Sequence, residues 1–194
     1  MGTAIGDYDN NGLMDYYVTN IRFNRFMVNH GQNKPFTEEA KDKGMDFVSI
    51  SWGANFADFD HDLDVDLFVA NGDLNPNDVP LADYYFENVN ATFKEIGPVV
   101  GLNDYGIGRG SVVFDMDNDG DLDVLVVNQK PVFDYPVKSF TNLFRNDSTQ
   151  GNWLKIKLNG VHSDRNGIGS LIEVGVKGVK MIREVDGGSG HLSQ

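Results

Sequence analysis

Five carboxylates fall within nine residues at Asp115-Met116-Asp117-Asn118-Asp119-Gly120-Asp121-Leu122-Asp123, and the chain then runs straight into Val124-Leu125-Val126-Val127-Asn128. Left bare, each close pair of such charges costs about 4 kcal/mol at ~4 Å and an effective dielectric of ~20. That density of charge ahead of a β-branched strand calls for a cation. Aspartates at loop positions 1, 3 and 5 with glycine at 6 set oxygen ligands on one side of a tight turn, the front half of a calcium loop. In the helix-flanked form of that loop a glutamate at position 12 closes the shell. Val126 stands there, inside an apolar run, so a strand follows and Asp123 at position 9 supplies the last carboxylate. The unit reads as strand, calcium loop, strand.

Two further copies carry the same spacing. Asp7-Tyr8-Asp9-Asn10-Asn11-Gly12-Leu13-Met14-Asp15 leads into Tyr16-Tyr17-Val18-Thr19-Asn20, and Asp58-Phe59-Asp60-His61-Asp62-Leu63-Asp64-Val65-Asp66 leads into Leu67-Phe68-Val69-Ala70-Asn71. Each copy has an asparagine thirteen positions after its first aspartate (Asn20, Asn71, Asn128). Each also has a glycine five positions before it (Gly2, Gly53, Gly110), followed by a small residue (Thr3, Ala54, Ser111). The first aspartates lie 51 and then 57 positions apart. Self-similarity at about 50 residues marks a propeller or a solenoid array. Positions 1, 3, 5 and 9 offer side-chain oxygens and position 7 a main-chain carbonyl. The expected ligands are Asp7, Asp9, Asn11, Leu13 and Asp15 in the first loop. In the second they are Asp58, Asp60, Asp62, Asp64 and Asp66, and in the third Asp115, Asp117, Asp119, Asp121 and Asp123. The third loop should bind best. Asn11 lowers the ligand charge of the first from −4 to −3, and Leu63 takes the glycine place in the second, where a left-handed backbone costs about 1–2 kcal/mol.

The elements around the loops read as all-β. After each loop strand comes an aromatic hairpin: Phe26-Met27-Val28-Asn29 with Pro35-Phe36-Thr37, Tyr85-Phe86-Glu87-Asn88 with Thr92-Phe93-Lys94, and Leu143-Phe144-Arg145-Asn146. Four short strands per repeat make a propeller blade. Glu38 to Gly44 reads as one surface turn, and Gly72 to Pro80 as a loop. The pattern changes near Gly151. Trp153-Leu154-Lys155-Ile156-Lys157-Leu158 alternates apolar and basic like a strand with one wet face, and Leu171 to Val176 and Lys180 to Val185 read as two more strands, with Gly187-Gly188-Ser189-Gly190 as a turn. The expected division is one blade over 1–45, a second over 46–102, a third over 103–150, and the start of a separate small β module over 151–194.

Across residues 1–150 these repeats resemble the FG-GAP/VCBS repeats of integrin-like β-propellers. The tail resembles the start of an ASPIC/UnbV domain through Trp153-Leu154, Asn166-Gly167-Ile168-Gly169, Arg183-Glu184-Val185 and Gly188 to Gln194. It departs at Asp164, which takes the place of an asparagine. The pair together resembles the cartilage acidic protein family. The resemblance implies a secreted, calcium-binding propeller used for adhesion or interaction, with up to three structural Ca2+ ions and an appended domain of no established activity. Met1 falls in the place of Trp52 and Arg109, so the chain reads as beginning in mid-blade, as a fragment of a longer secreted protein.

Composition narrows the partners. The 194 residues are 40% apolar, carry 22 glycines and bear a formal charge of −13. That charge argues against nucleic acid and anionic membrane, and three divalent ions would bring it to about −7. No cysteine is present and no run approaches the ~20 apolar residues of a membrane span. Modest-affinity calcium loops favour a secreted, cell-surface or periplasmic setting. His30, His61, His162 and His191 are isolated, no Gly-x-Ser-x-Gly elbow occurs, and Gly106-Ile107-Gly108-Arg109-Gly110 lacks dinucleotide-loop spacing. The sequence therefore reads as a non-catalytic module facing an extracellular protein or glycan. The alternative is an accessory part of a carbohydrate-active enzyme whose chemistry lies elsewhere. Asn90-Ala91-Thr92 and Asn146-Asp147-Ser148 have the form of glycosylation acceptors.

Overall fold

The computed structural model describes residues 1–74, 79–148 and 151–188. These form an all-β, partial β-propeller of antiparallel sheets. In chain order the strands are β1 (Thr3–Gly6), β2 (Asp15–Val18), β3 (Ile21–Phe23), β4 (Arg25–Val28), β5 (Thr37–Glu38), β6 (Val48–Ala57), β7 (Asp66–Asn71), β8 (Tyr84–Asn88) and β9 (Phe93–Glu95). After the four-residue helix α1 (Gly97–Val100) come β10 (Gly108–Phe114), β11 (Asp123–Asn128), β12 (Asn142–Phe144), β13 (Leu171–Val176) and β14 (Val179–Glu184). One blade is ordered β1-β2-β4-β5 and the next β6-β7-β8-β9, with β3 crossing to pair with the first half of β6. The third is β10-β11-β12, and β13-β14 form a separate hairpin. Each loop aspartate cluster therefore joins the first and second strands of a blade.

The middle blade shows why β7 reads as an unbroken apolar run. Alternate side chains leave a strand on opposite faces. Leu67 and Val69 pack with Tyr8, Phe26 and Phe86 against the first blade, while Phe68 and Ala70 pack with Phe59, Val124 and Val126 against the third. Phe26 sits at the centre of the first cluster, meeting Tyr8 edge-on at 4.9 Å and Phe93 at 5.9 Å between ring centroids. A sheet buried on both faces needs neighbours on both sides. This is blade stacking.

The inner strands explain the glycine and the small residue ahead of each loop. β6 packs against both β1 and β10. At Gly53 a Cβ would lie 2.6 Å from Ser111 Oγ and 2.7 Å from Ser111 N. Gly53→Val is expected to destabilise the fold by about 1–3 kcal/mol through overpacking. Urea unfolding measures this, and an unchanged midpoint would contradict the packing described.

Trp52 and Arg109, one on each inner strand, seal the same contact. The Arg109 guanidinium stacks 4.3 Å from the Trp52 ring. Its Nη2 donates to Asp73 O at 2.7 Å, and Trp52 Nε1 donates to Gly72 O at 2.7 Å.

Several expectations change. Trp153 to Leu158 form no strand: Trp153, Leu154 and Ile156 are exposed, and none of the described strands pairs with them. Alternation describes a half-buried strand only where a sheet offers an edge, and among the described residues no strand pairs with this segment. Among the described residues the third blade has three strands, not four. Helix α1 was not anticipated; Pro98 opens it and Gly101, at φ 81°, closes it. The turn at Ala40 to Gly44 and strands β13 and β14 lie where expected. Residues 75–78 of the Gly72 to Pro80 loop, and 189–194 of the tail, fall outside the described residues. Among the described residues no helix is long and apolar enough to cross a membrane.

Candidate metal centres

The three loops share one backbone path. Position 4 has a left-handed φ in all of them (Asn10 55°, His61 62°, Asn118 62°), and so does position 6 (Gly12 86°, Leu63 85°, Gly120 97°). Two such residues two apart fold the chain inward upon the first carboxylate. Gly12 N donates to Asp7 Oδ2 at 2.9 Å and Asn11 N to Asp7 Oδ1 at 3.0 Å, and Leu63 N donates to Asp58 Oδ2 at 3.2 Å. Further side chains brace the turn. Leu13 N donates to Asn11 Oδ1 at 2.8 Å, Asp64 N to Asp62 Oδ1 at 2.9 Å, and Asp121 N to Asp119 Oδ1 at 3.0 Å. Leu63 adopts the glycine conformation in spite of its Cβ. Leu63→Gly is expected to stabilise the protein by roughly 1 kcal/mol by relieving that strain. A lowered melting midpoint would show that the leucine side chain contributes more than its backbone loses.

Carboxylate oxygens converge within 4.8 Å of one another in three groups: Asp7, Asp9 and Asp15; Asp58, Asp60 and Asp62; Asp115, Asp117 and Asp123. Positions 1 and 3 are common to all three. The second loop adds position 5, and the others add position 9. Asp58 Oδ1 and Asp115 Oδ1 are buried and accept no hydrogen bond among the described residues. Burial raises the pKa of Asp7, Asp58, Asp62 and Asp64, and lifts Asp15 and Asp66 to about 7. Clustered carboxylates, with oxygen as the only ligand atom, fit a hard divalent cation of the calcium type. The residues present suit that ion.

Position 9 does more than offer a ligand. Asp15 Oδ1, Asp66 Oδ1 and Asp123 Oδ1 accept the backbone N–H of Asn29, Asn88 and Asn146 at 2.8, 2.8 and 2.9 Å. Their second oxygens accept the N–H of loop position 2, from Tyr8, Phe59 and Met116. Asp66 Oδ2 also accepts the Tyr85 hydroxyl at 2.8 Å. The asparagines then reach onward. Asn88 Nδ2 donates to Tyr8 O in the first loop at 2.8 Å, and Asn146 Nδ2 to Phe59 O in the second at 2.7 Å. Each blade thus holds the preceding blade's loop. Sequence reasoning misses this role of Asn29, Asn88 and Asn146, although each closes an aromatic strand at a corresponding place. Asn146, with its amide bonded to Phe59 O and its Oδ1 taken by Ser148 N, is committed to the fold, while Asn90 is exposed at a hairpin tip.

A second stitch joins the loops directly. Asn10 Nδ2, at position 4 of the first loop, donates to Asp64 Oδ1 at 2.6 Å and Leu63 O at 3.3 Å. His61 Nε2, at position 4 of the second, lies 2.8 Å from Asp121 Oδ1, with both side chains largely buried. In both cases position 4 of one loop meets position 7 of the next. The side chains of Asp64 and Asp121 are engaged there, which leaves their carbonyls as the expected ligands. Asp119 and Asp66 stay outside the converging groups, Asp66 because its oxygens serve Asn88, Phe59 and Tyr85.

The FG-GAP-like repeat family model matches residues 7–69 and 58–126. Each match starts at the first aspartate of a loop and ends within the strand after the next loop. No curated protein matches the chain.

Proposed function

The chain belongs to the FG-GAP-like repeat family, and from that premise we propose that it is a secreted, calcium-binding propeller module that serves adhesion or interaction without catalysis. One observation carries this reading above the rest: the same loop, built three times, gathers carboxylates whose buried oxygens Asp58 Oδ1 and Asp115 Oδ1 have no donor among the described residues. Calcium at these loops is structural. It fixes the turn between the first two strands of a blade, and the blades present their outer loops to an extracellular protein or glycan. The acidity of the surface favours partners that are neither nucleic acid nor anionic lipid. We assign residues 1–45, 46–102 and 103–150 to successive blades and 151–194 to an ASPIC/UnbV-like module.

Isothermal titration of the chelated protein with calcium tests the metal reading. Two to three ions are expected to bind, with the third loop tightest. Asp119→Ala is expected to weaken uptake more than Asn11→Ala, because it removes a charged oxygen where the other removes a neutral one. Absence of binding heat up to millimolar calcium, confirmed by equilibrium dialysis, would overturn the proposal.

A further inference from the structure

The C-terminal segment lies against the second and third acidic loops, and its last strand packs beside the first blade. A Cβ at Gly151 would collide with His61 Cβ, so the chain there runs directly against the second loop. Trp153 packs on Gly120 of the third loop, its indole filling the space a Cβ there would need. Lys155 Nζ lies 3.1 Å from Asn118 Oδ1 and 3.4 Å from Asp115 Oδ2. On β14, which packs against β1, the neighbouring Ile182 is buried and Arg183 lies within the electrostatic field of Asp58, Asp7 and Asp64 of the first two loops. Two blade cations also face loop carboxylates, but each is otherwise engaged: Lys43 with Glu39 and the Tyr8 ring, Arg145 with Asp147 at 2.7 Å. Lys155 and Arg183 are therefore the cations that the segment beyond the blades brings to the loops. Lys155 contacts the first-position Asp115, and the positive field of Arg183 acts on the first-position Asp7 and Asp58, which are also expected metal ligands.

We propose that residues 151–184 form a strap over the loop face, held by Lys155 and Arg183, whose docking opposes calcium binding to the same loops. The inference rests on the calcium reading above. Cations that share a carboxylate cluster weaken one another's binding, since each removes charge that attracts the other. Linkage makes the effect reciprocal: if the strap lowers calcium affinity by some factor, calcium loosens the strap by the same factor. The charge balance sets the sign. The first two loops hold eight aspartates, so two calcium ions leave them acidic, and Arg183 is weakened there without being expelled. Calcium thus converts a tight strap into a loose one, and frees surface on the loop face for a partner.

Two measurements on the whole chain test this. Calcium titration of Lys155→Met/Arg183→Met is expected to show about fivefold tighter binding than wild type. Hydrogen exchange of residues 171–184 in the wild type is expected to speed up on adding calcium and to slow again with chelator. It needs no variant, so the test holds even if the double substitution fails to fold. Calcium uptake by the wild type with an equal or weaker affinity in the variant, or exchange that ignores calcium, overturns the strap and leaves the metal reading intact. No uptake by the wild type overturns both, and the wild-type titration alone tells the two failures apart.

Discussion

Chelation is expected to lower the melting temperature by roughly 15–30 °C relative to the protein in millimolar calcium. A ligand bound only to the native state stabilises it by about 2.7 kcal/mol per site at 100 times its Kd. Three loops then supply ~8 kcal/mol, and each kcal/mol shifts a domain of this size by about 2–4 °C. The effect should depend on pH. Asp15 and Asp66 titrate at about 7 in the folded chain because they are buried, against about 3.9 when unfolded. A carboxylate whose folded pKa is raised binds more protons in the native state, so the chelated protein loses stability as pH rises from about 4 to about 7. Calcium requires the ionised form, and its stabilisation therefore grows over the same range. Melting at pH 5 and pH 8, each with chelator and with calcium, should show the larger gain at pH 8. Superimposable curves with and without calcium would remove the metal from the account.

Asp66→Ala is expected to destabilise the protein by about 4–6 kcal/mol even in chelator. Asp66 is 1% exposed and accepts from the Tyr85 hydroxyl, Asn88 N and Phe59 N. Truncation strands three buried donors, at about 1–3 kcal/mol each. The damage also spreads, because Asn88 carries the bond to Tyr8 O in the neighbouring blade. Asp66→Asn keeps one acceptor oxygen and should lose less than half as much. Asp119→Ala, by contrast, is expected to cost little in chelator, where only the bond from Asp121 N is lost, and more when calcium is present. Denaturant unfolding of the three variants, each with and without chelator, separates a carboxylate that holds the blade from one that holds the ion. Equal behaviour of Asp66→Ala and Asp119→Ala in chelator would refute the distinction.

Much of the site is legible in the chain because cation ligation is a local demand. Oxygens must recur at every second residue, and the backbone must turn left-handed between them. Both requirements fall within nine residues, so Asp7, Asp58 and Asp115 announce their loops, and even Leu63 conforms to the turn that its neighbours impose. The aromatic hairpins are legible for the same reason, since alternation is a property of adjacent residues. That locality also misleads. Trp153 to Leu158 alternate like a strand, yet no described strand pairs with them, and the division of labour between Asp66 and Asp62 in the second loop cannot be read from spacing.

What the sequence determined alone is the repeat, the loop and its charge, for these depend on contacts a few residues long. Which carboxylate faces an ion and which braces a neighbouring blade is another matter. Asn10 meets Asp64 across 54 positions, His61 meets Asp121 across 60, and Asn88 meets Tyr8 across 80. Only the stacking of buried faces brings those pairs together, because the apolar area on both sides of β7 sets where each blade lies. The roles of the polar groups follow from where that packing leaves them.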